Sequence, residues 1–313
     1  LNYSSQKLRG LMYESEKSVI RKWLKPPYNF DGWRIDVGNM TGRYKGQDIN
    51  QEIARGIRTA MDKTNPEAWL VAENADHSPS DLDGFGWHGT MNYNGFARPL
   101  VNWLNKTKKE IPNFSQFEVP NPSFTGSGTV KAMRAFAAGI PWRSLTASMV
   151  LLGSHDTARF KTVVGGDRDR HLAGLTALLT YPGVPSIFAG DELGLEGEWG
   201  EDARRTIDWQ NTDKWDHELM AEFKALISIR KSHDALINGG IRWIYAADNA
   251  FAYLRESKKE SILVFISRSA GSHTLDLAPL GYRVKETLYG KEAKGNKIKI
   301  TSKSATSGVW VVS

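Results

Sequence analysis

No cysteine occurs among the 313 residues, so disulfides and thiolate metal sites are excluded. That absence fits a reducing, cytoplasmic compartment without ruling out export. Long apolar runs are missing too. The longest, LAGLTALLTYPGVPSIFAG (172–190), is broken by Pro182 and Pro185 and reads as a buried helix followed by a buried strand, not as a membrane span. Charge of one sign is not concentrated anywhere: 41 basic residues nearly offset 35 acidic ones, for a net charge of +6. The basic residues are scattered, apart from short groups such as KTKKE (106–110), and a nucleic-acid footprint needs them clustered on one face. No internal repeat and no low-complexity segment is present. What remains is a globular balance of 40% hydrophobic and 24% charged residues, long enough for one large domain and a smaller one.

Several segments share one plan, a short apolar run ending in polar residues. NFDGWRIDV (29–37), AWLVAEN (68–74), ASMVLLGSHD (147–156) and VPSIFAGDE (184–192) all follow it, and GFGWHGTMNY (84–93) is a weaker strand candidate. Helical stretches lie between them. In QDINQEIARGIRTAM (47–61), Ile49, Ile53, Ile57 and Met61 form one stripe. DRHLAGLTALLTYPG (169–183) ends in a Pro-Gly stop. Alternating strands and helices with buried strands predict an α/β fold with its chemistry at the carboxyl ends of the strands, in a barrel or an open sheet. About five strands precede residue 236, short of the eight of a closed barrel. From about residue 237 to 313 the segments AFAYLRES, SILVFISRS, HTLDL, YRVKETLYG, NKIKIT and SGVWVVS are short and alternating, the pattern of an antiparallel β domain.

The polar strand ends carry the functional argument. With a period of two, Arg34 and Asp36 share a face while Trp33, Ile35 and Val37 share the other. Burying an ion pair costs several kcal/mol per ion unless the ions pair well, and a fixed guanidinium favours an ionised carboxylate. From this stretch alone, a plain buried salt bridge serves as well as a catalytic site. Glu73 ends the next strand behind apolar residues with no basic neighbour in sequence, an environment that favours the protonated form. One charged and one protonated carboxyl is the division of labour of glycoside hydrolysis. His155 and Asp156 end a further strand and suit the binding of sugar hydroxyls.

DGWRIDV, VAEN and LLGSHDT resemble, in order, the second, third and fourth signature regions of the α-amylase family of retaining glycosidases and transglycosidases. GVPSIFAGDELGLEG (183–197) resembles its eighth-strand region, and LNY at the start resembles the end of a segment seen in neopullulanase and cyclomaltodextrinase relatives. The resemblance implies a partial (β/α)8 TIM barrel, strands four to eight, over residues 1–236, followed by a C-terminal antiparallel β-sandwich over 237–313. It implies Asp36 as nucleophile, Glu73 as general acid and base, and Asp156 as the third carboxylate, the three converging on one glucose ring. Arg34, His155, Val37 and His77 would then contact or frame the substrate. A retaining mechanism needs the Asp36 and Glu73 carboxyls roughly 5–5.5 Å apart.

The chain departs from the common pattern at Gly38 and Met40, where relatives often carry Ala and Glu or Lys. Nothing matches the first signature region with its Asn-His pair, which implies that Leu1 begins inside a longer protein. The open sheet edge would need the missing N-terminal barrel half, a partner chain or self-association to cover it. The implied substrate is an α-glucan oligosaccharide of the maltodextrin type. A transglycosidase, a sucrose- or trehalose-directed relative, and a non-catalytic binding relative are the alternatives. No cofactor is implied. Family members often bind calcium, but in regions largely absent here, and no spacing in this chain demands a metal. Trp87, Trp142 and Trp199 are candidate sugar platforms or simply buried against loops. Arg204 and Arg205 suit a loop clamp, and Asp191 and Glu192 suit hydrogen bonds to loop backbone.

Overall fold

The computed structural model of the protein describes residues 1–74, 79–106 and 123–313. In chain order its main elements begin with β1 (Gly32–Ile35), α1 (Asn50–Asp62), β2 (Trp69–Ala72) and β3 (Gly89–Thr90). They continue with α2 (Gly126–Ala138), β4 (Met149–Leu151), α3 (Arg168–Thr180), β5 (Val184–Ser186) and α4 (His217–Ser232). Seven strands follow: β6 (Gly240–Ala246), β7 (Ala250–Glu256), β8 (Ser261–Ser267), β9 (Gly271–Asp276), β10 (Val284–Tyr289), β11 (Lys297–Ser302) and β12 (Thr306–Val312). Among the described residues no helix is long and apolar enough to cross a membrane. The chain divides into two compact units, Leu1–Gly95 with Arg134–Met149, and Phe96–Met133 with Val150–Ser313.

In the first unit β1, β2 and β3 pair in parallel in the order β1-β2-β3, with Gly32 opposite Trp69 and Ile35 opposite Ala72. Met91, just past β3, makes a parallel bridge to Met149. Gly32 permits the close approach, since a Cβ there would stand 2.1 Å from the Trp69 carbonyl oxygen. The stripe on α1 behaves as its periodicity dictates: Ile53, Ile57 and Met61 are buried with Leu70, and Trp33 and Ile35 of β1 pack against the same core. The helix is tied to the loop after β1 through buried Asn50, whose Nδ2 donates to Gly38 O and Thr41 O, each at 2.8 Å. Trp87 is part of this core and donates its indole N–H to Asn50 Oδ1 at 3.4 Å. Of the two readings of Trp87, sugar platform or buried residue, the structure bears out burial.

His88, just before β3, binds the start of β2 with its ring. Its Nδ1 accepts the Leu70 N–H at 2.8 Å, which requires a neutral imidazole, and burial lowers its pKa to about 4. A histidine lowered from 6.5 stabilises the fold fully above that value and loses the contribution as pH falls towards about 4. The wild-type thermal midpoint should therefore drop more between pH 7 and pH 5 than that of His88→Asn. After discounting for solvent screening the difference amounts to about 1 kcal/mol. Equal drops in the two proteins would refute this.

In the second unit α3 starts at Asp167, whose carboxylate accepts the Arg170 N–H at 3.1 Å, and stops before Tyr181-Pro182-Gly183. It is buried on nearly every side, as an apolar run of that composition requires. β4 and β5 pair with each other. The tail forms a five-stranded antiparallel sheet, β10-β12-β8-β7-β6, and a separate pair, β9 with β11. Alternation sorts the side chains of β7, β8 and β12. Phe251, Tyr253, Val264 and Val309 join a core with Leu175 and Leu179 of α3 and Phe223 of α4. Leu254, Leu263, Phe265 and Trp310 face the other way, towards Leu275 and Ile298 of the strand pair. Arg255, fully buried, donates to the carbonyls of Thr180, Gly239 and Gly240 and so stitches the end of α3 to the sheet.

Candidate active site

The period-two pattern of β1 ends one residue before the candidate nucleophile. The strand stops at Ile35, and Asp36 and Val37 lie in the turn that follows. Arg34 still reaches Asp36, its Nη1 donating to Oδ1 at 2.6 Å. The pair is not the buried one expected, because the Asp36 side chain is 79% exposed and that of Arg34 27%. An ion pair so open to water contributes ~0–1 kcal/mol to stability, so a purely structural account of it is weak.

Glu73 also departs from expectation. It has no basic neighbour in sequence, yet the register of β1 on β2 brings it beneath Arg34, whose Nη2 stands 3.1 Å from Glu73 Oε2. That contact lies off the hydrogen-bond direction, leaving the buried Nη2 without a hydrogen-bond acceptor. The attraction is therefore Coulombic, and one guanidinium serves two carboxylates. Glu73 is only 9% exposed and accepts a hydrogen bond from the backbone N–H of Val37 at 2.6 Å.

Val37 delivers that N–H from a left-handed backbone, φ 44° and ψ 46°. A β-branched residue rarely adopts it, at a cost of about 1–3 kcal/mol. The turn is braced by Asn50 and by Arg43, which donates to Asn39 O at 2.6 Å and grips buried Asp81 through two nitrogens at 3.0 and 2.7 Å. Gly38 presses on β2, where a Cβ would come within 2.7 Å of Ala72 Cβ. Arg34, Asp36, Val37 and Met40 line a cavity of about 410 Å³ together with Trp33 and Ile35. It lies within the first unit, and among the described residues β1 has a strand neighbour on one side only.

In the second unit β4 leads through Gly153 and Ser154 to His155 and Asp156. The Asp156 amide donates to Ser154 Oγ at 3.2 Å, its Oδ2 stands 3.3 Å from His155 Nε2, and its Oδ1 accepts from Arg204 Nη2 at 3.0 Å. His155 is half-exposed and Asp156 buried. Arg159, three residues on, is buried against Asp191 at 2.8 Å with its guanidinium over the Phe188 ring. Asp191 is thus the ion-pair partner of Arg159, where hydrogen bonds to loop backbone were expected, and burial raises its pKa to about 6 despite Arg159. Glu192 does accept a loop amide, Gly190 N–H at 2.8 Å, and Arg205 clamps Asp202.

Of the remaining candidates, Trp142 is exposed and Trp199 partly buried, while His77 falls outside the described residues. Among the described residues no three His, Asp or Glu side chains are grouped to hold a metal ion. Sequence reasoning missed Arg43 and Asn50 as braces and the contact of Arg204 with Asp156; the grip of Arg43 on Asp81 and of Arg204 on Asp156 joins residues distant in the chain.

Residues 1–212 match the model of the family described as alpha amylase, catalytic domain. The chain belongs to the alpha-amylase family. It is 30% identical over 290 residues to a cyclomaltodextrinase of Thermoanaerobacter pseudethanolicus, covering 92% of this chain and 46% of that protein. A cyclomaltodextrinase of a Bacillus species is 29% identical over 255 residues, 81% of this chain and 41% of the relative. The chain spans less than half the length of these two curated relatives. Among solved structures, the native debranching enzyme of Nostoc punctiforme superposes with a TM-score of 0.84 at 27% identity, covering 99% of this chain and 63% of that one. The fold is accordingly that of the family's TIM-barrel enzymes with a C-terminal β domain.

Proposed function

We propose that this chain carries the catalytic carboxylates of a retaining glycosidase that cleaves α-glucosidic bonds of maltodextrin-type glucans. The observation that carries the reading is the single guanidinium of Arg34 shared by exposed Asp36 and buried Glu73. Exposed Asp36 is free to attack an anomeric carbon, with Arg34 fixing its orientation. Glu73 gives its proton to the departing glycosidic oxygen as the Asp36–sugar ester forms. It then takes a proton from the water that breaks that ester, so two inversions give net retention. Asp156 and His155 bind sugar hydroxyls, the charge of Asp156 also favouring the oxocarbenium-like transition state.

The named relatives, a cyclomaltodextrinase and a debranching enzyme, support an α-glucan substrate. In this reading β1 to β5 are the fourth to eighth strands of the barrel. The free edge of β1, with Trp33 and Ile35 beside it, takes the preceding strand from an N-terminal barrel half, a partner chain or a second copy. The test is incubation of the protein, expressed from its full reading frame, with maltotriose, pullulan and cyclodextrins, following products by proton NMR. Release of glucose or maltose first seen as the α-anomer is expected. The β-anomer would overturn retention, and no cleavage of any of the three would overturn the substrate class.

A further inference from the structure

Arg204 leaves the short turn Asp202–Arg204 and holds two consecutive residues at once. Its Nε donates to the His155 carbonyl at 2.8 Å and its Nη2 to Asp156 Oδ1 at 3.0 Å. With His155 Nε2 at 3.3 Å from Oδ2 and the Asp156 amide bound to Ser154 Oγ, the carboxylate is fixed in both swing and rotation. The backbone beneath Arg204 is fixed as well. Ala203 is fully buried and its carbonyl accepts from Arg159 Nε at 2.9 Å, while Arg159 itself is anchored on Asp191 and the Ala189 carbonyl. Gly200 lets the same loop lie against the Asp156 backbone, since a Cβ there would stand 3.2 Å from the Asp156 carbonyl carbon. Glu201, 3.5 Å from Nη2, is the other carboxylate facing the guanidinium.

Stability explains this grip poorly. The Arg204 side chain is 44% exposed, and ion pairs that open contribute little once the ordering of a long side chain is counted. A two-point fork on a carboxylate and the carbonyl before it gives orientation instead. We propose that Arg204 is a positioning residue for Asp156, turning its carboxylate so that the contact with sugar hydroxyls tightens in the transition state. The proposal rests on the reading of Asp156 as a hydroxyl-binding carboxylate. Arg204 itself touches no reacting atom in this scheme.

The experiment compares wild type, Arg204→Lys and Arg204→Gln, each expressed from the full reading frame, in maltotriose hydrolysis and in inhibition by acarbose, a basic pseudosugar that mimics the charged transition state. A carboxylate misplaced by about 1 Å costs on the order of 100-fold. Arg204→Gln is therefore expected to lose kcat by about that factor, with KM changed less than about threefold. Its affinity for acarbose should fall in step with kcat/KM, the signature of a contact made in the transition state. Arg204→Lys keeps the cation but not the fork and should fall between. Its similar bulk and charge keep the comparison available should the glutamine variant fail to fold. Guanidinium added to Arg204→Ala should restore part of the rate. Normal kcat in Arg204→Gln, or an acarbose affinity unmoved while kcat falls, overturns the positioning role alone. A wild type inactive on every glucan overturns the functional reading and this proposal with it.

Discussion

Replacing Asp36 with Asn in the full-length protein should lower kcat on maltodextrin by on the order of 10⁴-fold or more, since the other carboxyl beside Arg34, that of Glu73, is buried and committed to proton transfer in this reading. Folding should survive, because Asp36 is exposed and its pair with Arg34 contributes little to stability. A thermal midpoint within a few degrees of wild type, alongside lost turnover, separates chemistry from damage. The sharper form of the test uses Asp36→Gly with added azide. Azide then attacks the anomeric carbon from the vacated side, and the single displacement yields a β-glucosyl azide from an α-linked substrate. Residual hydrolysis within tenfold of wild type in Asp36→Asn, or azide product of α configuration, would show the nucleophile to be elsewhere.

The second large effect concerns Glu73. Glu73→Gln can still accept the Val37 N–H through its amide oxygen, so the strained turn keeps its partner while the transferable proton is gone. Loss of general acid and base catalysis costs about 10²–10⁴-fold. The loss should depend on the leaving group. With α-glucosyl fluoride, whose fluoride departs without protonation, the first step should be largely spared and the glycosyl-enzyme should accumulate. Its hydrolysis stays slow because no base activates water. A burst of fluoride release slowed as much as the cleavage of maltotriose would remove Glu73 from this role.

Much of this was legible in the chain, for identifiable reasons. The stripe Ile53, Ile57, Met61 is a local periodicity that tells which face of α1 is buried, and the alternation in β7 and β8 divides their side chains between the two cores on either side of the sheet. Arg34 and Asp36 are two residues apart, so their contact also lay within reach of a local rule. The contact of Arg34 with Glu73 did not. It depends on the pairing of Ile35 with Ala72, a register between strands that no local pattern encodes. Arg204 and Asp156 are likewise 48 positions apart. The left-handed turn at Val37 escaped because valine is among the residues least suited to it, and only the anchoring of that turn by Asn50 and Arg43 explains why it is held there. Trp87 stayed open between a sugar platform and burial because glycines around a tryptophan also suit an open loop; here the indole lies in the core.

The core shared by α3, α4 and the tail sheet makes the last 70-odd residues inseparable from the loop that bears Asp156. Val150 and Leu152, on the approach to that loop, sit in the same apolar mass as Phe251, Val264 and Val309. The tail thus acts as a foundation and not as an exchangeable module. Softening it by heat, denaturant or a cavity at Phe251 would be felt as a wandering carboxylate at Asp156 well before the molecule unfolds.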